Sequence, residues 1–249
     1  MAKALVLLSV PPVAVQHAAA ALCEQLQQQF ATQTHITLQL MQALAQDPFY
    51  QPQAPYPRPQ LLLEMVSAPG QPLPSLYQQL TRALDLPAIE RSECLALVMR
   101  ERTFIPCAPQ PVYYHYLMLK RSEFSTADYM DYYARYHSNF GIHTPGIAGY
   151  SQNDVDPEGS RLLATTLGLG YRNVTSISEL KLASMSAFVA NPGVMALAEP
   201  AALDEARFVD REQSIMFSSE VIFRAGDFNI IDQPVFSQHV FGQRSQPRG

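Results

Sequence analysis

The sequence predicts an α+β protein built from two consecutive βαββαβ units. Three observations lead there. Strand-length apolar or aromatic runs alternate with helix-length segments in the same order twice over. The 249 residues suit two modules of about 110 to 130 residues, each able to bury its own core. Ile89-Glu90-Arg91 ahead of one strand is echoed by Val209-Asp210-Arg211 ahead of another, at an offset of 120, as a duplicated module would leave. Three matching residues are equally compatible with two halves that merely share a topology.

In the first half, Ala4 to Val10 is an apolar run stopped by Pro11-Pro12 and reads as a strand. A helix follows from about Val13 to Phe30, with Leu22, Leu26 and Phe30 along one face. A strand from His35 to Leu44 leads into a proline-rich loop, Asp47 to Pro59. A strand at Leu61 to Val66, a helix at about Leu73 to Leu84 and a strand at Cys94 to Arg102 complete the unit. The second half reads as strand 113–120, helix 125–139, strands at about 147–153 and 161–170, helix at about 176–190 and strand 214–222. An extra segment, Pro192 to Ala206, precedes that last strand and carries a short helix of its own. The expected domains are a degenerate module over 1–110, a second module over 111–223 and an arm over 224–249. In the arm, Asn229 to Phe236 carries apolar anchors that would dock on the body or on a second copy.

An apolar fraction of 47% and a charged fraction of 16% describe a globular chain. A net charge of −5 without long like-charge runs leaves no footprint for nucleic acid. No segment approaches the roughly 20 apolar residues that span a bilayer. The start, Met1-Ala2-Lys3 and then Ala4 to Val10, has some features of a secretory signal. Pro11-Pro12 and a single lysine favour a first strand instead. Cys23, Cys94 and Cys107 have neither metal-ligand spacing nor an even number, so a reduced, cytoplasmic setting fits best. No metal site emerges, since His137 and His143 are six apart with no carboxylate or cysteine at ligand spacing. Gly168-Leu169-Gly170 lacks the rest of a phosphate-binding loop. No nucleotide, flavin or haem is implied, and the expected cofactor is none.

The most informative stretch is 113–150. Seven of the 12 tyrosines lie between Tyr113 and Tyr136, and His137 closes the run. Ser125 is an N-cap, with Asp128 completing a shortened capping box. Tyr129, Tyr133 and His137 are spaced by four and share one helix face. Gly141 and Pro145-Gly146 are expected to end the helix, and Tyr150 opens the next strand.

This arrangement resembles the EthD family. Lys120-Arg121 closes the strand, and Ser125 starts the helix. Tyr129, Tyr132-Tyr133 and His137 stand where the family has an aromatic, an aromatic pair and its histidine, followed by Gly149-Tyr150. Phe208-Val209-Asp210 precedes the last strand, which closes at Glu220-Val221-Ile222. The resemblance covers about residues 113–223. The family usually follows its histidine with Ala-Pro, where this chain has Ser138-Asn139. The resemblance implies small ferredoxin-like modules of the dimeric α+β barrel type, in which two sheets pack face to face. With two modules in one chain, it implies a pseudo-dimeric barrel closed within the monomer, because an apolar sheet face must be buried somewhere. A homodimer is the other arrangement it allows.

His137 is the candidate general acid or base, its ordinary pKa near ~6.5 lying close to neutrality. A hydrogen-bonded structural histidine at a helix end is the competing reading. Tyr150 is the second catalytic candidate, while Tyr133, His115 and Tyr129 are candidates for substrate binding. Each tyrosine can equally be core packing with a locally satisfied hydroxyl. Tyr113 and His115 alternate with Tyr114 and Tyr116, so one pair faces the helices and the other the open sheet face. His143 reads as a solvent-exposed loop residue, and Asp210-Arg211 as fixing the turn into the last strand.

Three functional readings follow. The first is a cofactor-independent enzyme of small-molecule catabolism or secondary metabolism, an isomerase, cyclase or monooxygenase-like enzyme. It would act by proton transfer on a small aromatic, polyketide-like or lactone-like substrate. The second is a non-catalytic small-ligand-binding or accessory protein of a catabolic operon. The third is a structural pseudo-dimer. The expected partner is a small hydrophobic or aromatic molecule, with no nucleic acid and no membrane. An open pocket at His137 favours the first reading, and a filled core there favours the other two.

Overall fold

The computed structural model describes residues 2–50, 57–68 and 70–226; the Asn229 to Phe236 part of the arm lies outside them. Eight strands are formed: β1 (Ala2–Leu8), β2 (Ile36–Ala43), β3 (Leu61–Ser67), β4 (Leu95–Ile105), β5 (Val112–Lys120), β6 (Gly149–Asp156), β7 (Ser176–Leu182) and β8 (Val209–Gly226). They close into an antiparallel barrel in the order β1-β3-β2-β8-β5-β7-β6-β4. The first four strands form one arc and the last four the other. The arcs join edge to edge, β2 to β8 and β4 to β6. This is the pseudo-dimeric α+β barrel expected. The two sheets do more than face each other: hydrogen bonding at both seams removes every exposed edge.

Strand alternation sorts the side chains. Leu5, Leu7, Leu97, Leu117, Ile177 and Phe217 belong to one apolar cluster in the interior. Lys3, Glu64, Glu101, His115, Glu179 and Lys181 form a buried charged layer. Lys3 Nζ lies 2.5 Å from both Glu64 Oε2 and Glu179 Oε2. Burial alone would lower the Lys3 pKa, but the charges of Glu179 and Glu64 outweigh it and hold the ammonium well above its ordinary value. Burial raises Glu64 despite Lys3. Glu179 is held far below the usual range because Lys3, with help from His115, overcomes its burial.

Helices clothe the outside. Over the first arc, α1 (Val15–Phe30) and α2 (Tyr77–Ala83) bury Leu22, Leu26, Phe30 and Leu80 against Ala4, Val6 and Leu8. The buried face of α1 is entirely apolar and can pack but cannot move a proton. Over the second arc lies a continuous helix made of α3 (Thr126–Tyr132), a π turn (Tyr133–His137) and α4 (Ser138–His143).

The second half departs from expectation in three places. The strand expected at 161–170 is instead helix α5 (Pro157–Leu167). Asp156 caps it, accepting from Glu158 N and Gly159 N, Pro157 supplies the fixed φ of a first turn, and Gly168 ends it in the left-handed region at φ 65°. Its buried face, Leu163, Ala164 and Leu167, joins the core of the first arc. The helix expected at 176–190 is strand β7, followed only by the short α6 (Met185–Val189). In Ser-Ile-Ser-Glu-Leu-Lys-Leu the apolar residues fall on both faces, Ile177 inside the barrel and Leu180 and Leu182 on the helix side, and both faces are covered. The extra segment is a full helix, α7 (Pro192–Phe208), and β8 starts at Val209 and not at 214.

Candidate functional site

Ser125 Oγ accepts from Asp128 N at 3.1 Å and donates to Asp128 Oδ2 at 2.6 Å. The start of α3 is thereby set as the sequence anticipates, except that Asp128 returns to the hydroxyl and not to the backbone. From there Tyr129, Tyr133 and His137 follow one another on a single face, with ring centroids 5.9 Å apart at each step. The π turn across 133–137 inserts extra backbone where the face reaches His137, an irregularity often found at functional positions.

Gly141 does not end this helix. It lies inside α4, and a Cβ there would meet the Tyr150 ring at 2.4 Å. Glycine is needed so that the ring can rest on the helix backbone. Tyr150 is buried, stacks on Phe104 at 5.3 Å and accepts from Gln152 Nε2 at 2.8 Å. Gln152 Nε2 also donates to the Tyr133 carbonyl at 3.0 Å. Burial raises the phenol pKa of both Tyr150 and Tyr133, so both hydroxyls stay protonated at neutral pH and can donate a hydrogen bond. The Tyr129 hydroxyl pairs with Ser176 Oγ at 2.7 Å.

The second layer of the site comes from α7. Asp204 Oδ2 accepts from His137 Nδ1 at 2.9 Å, and its Oδ1 accepts from the Tyr132 hydroxyl at 2.5 Å. Glu205 Oε1 lies 3.8 Å from His137 Nε2, just beyond hydrogen-bond distance. Phe208 packs on His137 at 5.1 Å and also on Tyr129, Tyr132 and Tyr133. Burial lowers the His137 pKa, and the Asp204 hydrogen bond and charge offset only part of that. Burial raises Glu205 to about 7; Arg211 opposes the rise and Asp204 adds to it. Burial thus favours the neutral imidazole, with Nδ1 placed to donate to Asp204, and keeps a proton on the neighbouring carboxyl well above the usual carboxylate range.

The imidazole is packed and not open to solvent, the filled surroundings expected of the accessory and structural readings and not the open pocket expected of an enzyme: His137 is 8% exposed, with Phe140 and Phe208 against it. A cleft of about 340 Å³ lies nearby, with Arg121, Ala206 and Arg211 among its walls, and His137 does not line it.

Of the residues singled out in the sequence, His137, Tyr133 and Tyr129 share one site, and Tyr150 joins them through Gln152 and Tyr133. His115 does not. It points into the barrel on the opposite face of β5, where Nε2 meets Ser219 Oγ at 2.9 Å and Nδ1 lies 3.6 Å from Glu179 Oε1. Tyr114 and Tyr116 are the pair that faces the helices. His143 is exposed at the end of α4. Asp210 accepts from Gln213 N at 3.3 Å and fixes a local turn within β8. Asp204 and Glu205 were missed. The only signal for them was an acidic pair in the segment expected to be a mere insertion. Among the described residues, no cluster of three or more His, Cys, Asp or Glu could hold a metal ion, and no helix is long and apolar enough to cross a membrane.

The fold defines a protein of the α+β barrel class. Comparison of the sequence with family models and with curated proteins finds no match. Among solved structures, the chain is similar to an anthrone oxidase-like protein, with TM-score 0.57, 9% identity and 94% of each chain covered. It is also similar to a mutant chlorite dismutase from Candidatus Nitrospira defluvii solved with cyanide, with TM-score 0.52, 11% identity and 93% of each chain covered. At these identities the likeness is one of fold.

Proposed function

We propose that the chain is a small-molecule enzyme working by proton transfer, with His137 as base, Glu205 as its proton-exchanging partner and Asp204 as the positioning residue. The observation that carries this reading is the geometry of two buried groups, His137 Nε2 facing Glu205 Oε1 at 3.8 Å with Asp204 on Nδ1, in surroundings that favour the neutral form of each. Environments that push neighbouring titratable groups away from their ordinary values mark acid–base pairs. We assign the chain to the EthD-like branch of the α+β barrels on the motif order of residues 113–223, and take Tyr133 and Tyr150 as donors to a carbonyl or enolate oxygen. The aromatic surroundings suit a small aromatic, polyketide-like or lactone-like substrate, and the reading uses side chains alone.

A second reading, a non-catalytic ligand-binding or accessory protein, is favoured by one specific observation: the close packing of Phe140 and Phe208 on His137. The two are separated by incubating the protein in deuterated buffer with anthrone and with a simple butenolide, and following loss of the acidic C–H signal by NMR. The enzymatic reading expects exchange above background that disappears in His137→Gln. Binding without exchange, or exchange unchanged in the variant, selects the accessory reading.

A further inference from the structure

Helix α7 fits poorly onto the body it covers. Of its seventeen residues only Phe208, the last, is buried, while Met195 and Leu203 are 65% and 64% exposed. Pro200 sits inside the helix, where its ring removes a backbone donor and crowds the carbonyl of Ala196, weakening the helix at that point. The polar hold of α7 on the rest of the protein is concentrated at its C-terminal end. It comprises Asp204 with Tyr132 and His137, Glu205 beside His137, and the Ala206 carbonyl accepting from Arg121 Nη1 at 3.1 Å. Close to Glu205, the Tyr116 hydroxyl is buried with Arg211 as its hydrogen-bond donor, and no acceptor in hydrogen-bond geometry takes its own proton, a state native proteins rarely leave unmatched.

We propose that residues 201–208 of α7 are a lid over the His137 face, lifting between the weak point at Pro200 and the start of β8 at Val209, with Asp204 and Glu205 as its latch. Opening admits a ligand whose oxygen accepts a hydrogen bond from Tyr116. The identity of that ligand as a substrate rests on the proton-transfer reading above; the motion does not. The latch also responds to charge. Glu205 faces His137 on the π turn, Tyr114 and Tyr116 on β5, Arg211 on β8 and Asp204 on its own helix. Ionisation of Glu205 sets a second negative charge beside Asp204, and Arg211 offsets only part of it.

Diethyl pyrocarbonate, which acylates neutral imidazoles, tests the lid without any substrate, read by peptide mass mapping. His137 is expected to label at least fivefold faster in Asp204→Asn than in the unaltered protein, and severalfold slower in Pro200→Ala, where the helix is restored. His115, closed inside the barrel, reports global unfolding and is expected to stay unlabelled throughout. Equal His137 rates in the three proteins, or His115 labelling in parallel, overturns the proposal. Backbone hydrogen exchange on the unaltered protein gives a second readout: residues 192–205 should exchange at least tenfold faster than 126–143, and equal protection also overturns it. A moving α7 with no exchange chemistry ends the functional reading alone, whereas a fixed α7 in an active protein ends the lid alone.

Discussion

Asp204 Oδ2 receives the Nδ1 proton of His137 at 2.9 Å, and this contact joins the aromatic helix to α7. It fixes which imidazole nitrogen carries the proton and aims the other at Glu205. Asp204→Asn keeps the shape but offers an amide that can present either a donor or an acceptor. Proton-transfer activity in the deuterium assay should fall by about 10²-fold or more, the scale of a lost general base. An unchanged rate would show that the contact does not position the base.

The pH dependence of stability has a sign set by Glu205. Its folded pKa is raised to about 7 by burial, so the folded state holds a proton the unfolded chain releases at ordinary carboxyl values. The stabilisation is complete below the unfolded pKa and is lost as pH rises through about 7. His137, lowered by burial, acts oppositely, losing stability as pH falls below its ordinary value. Denaturant midpoints of Glu205→Gln and the unaltered protein should therefore diverge between about pH 4 and 7, with the variant flatter across that window. Parallel curves would refute the shift.

Gly141→Ala places a methyl within 2.4 Å of the Tyr150 ring. An alanine normally stabilises a helix interior, but here overpacking should dominate and cost about 1–3 kcal/mol. Urea unfolding decides it; a stabilised variant would mean that the ring moves aside freely.

That glycine also shows where the sequence was legible and where it was not. The start of the aromatic helix could be read because its cap is local, Ser125 to Asp128. Its end could not, because Gly141 serves a tertiary contact with a residue nine positions on. The strand at 161–170 was misassigned because apolar content outweighed caps, for Asp156-Pro157 and Gly168 bracket a helix. The helix at 176–190 was misassigned because 176–182 is covered on both faces and carries apolar residues on each, so no period of two marks it. His137 was singled out by residue type and spacing. Asp204 reaches it from 67 residues away in the chain, with Glu205 next to it, and no local pattern announces such partners.

Lys3 tests the barrel itself. It bridges Glu64 of β3 and Glu179 of β7 at 2.5 Å each, tying one arc to the other. The two glutamates hold matching places in their arcs, Glu64 opposite Leu5 and Glu179 opposite His115, which supports our reading of residues 1–110 and 111–223 as two copies of one module. Lys3→Met strands two buried carboxyls and should cost about 3–5 kcal/mol. Adding Glu179→Gln should recover part of that loss. A neutral single variant would mean that the interior charges are solvated.

The most direct test of the central claim is an NMR titration of the His137 ring nitrogens. The account predicts the Nδ1–H tautomer with Nε2 unprotonated at pH 7, and a pKa below the ordinary ~6.5 that moves lower still in Asp204→Asn. An imidazolium persisting through pH 7, or a proton resident on Nε2, would contradict it.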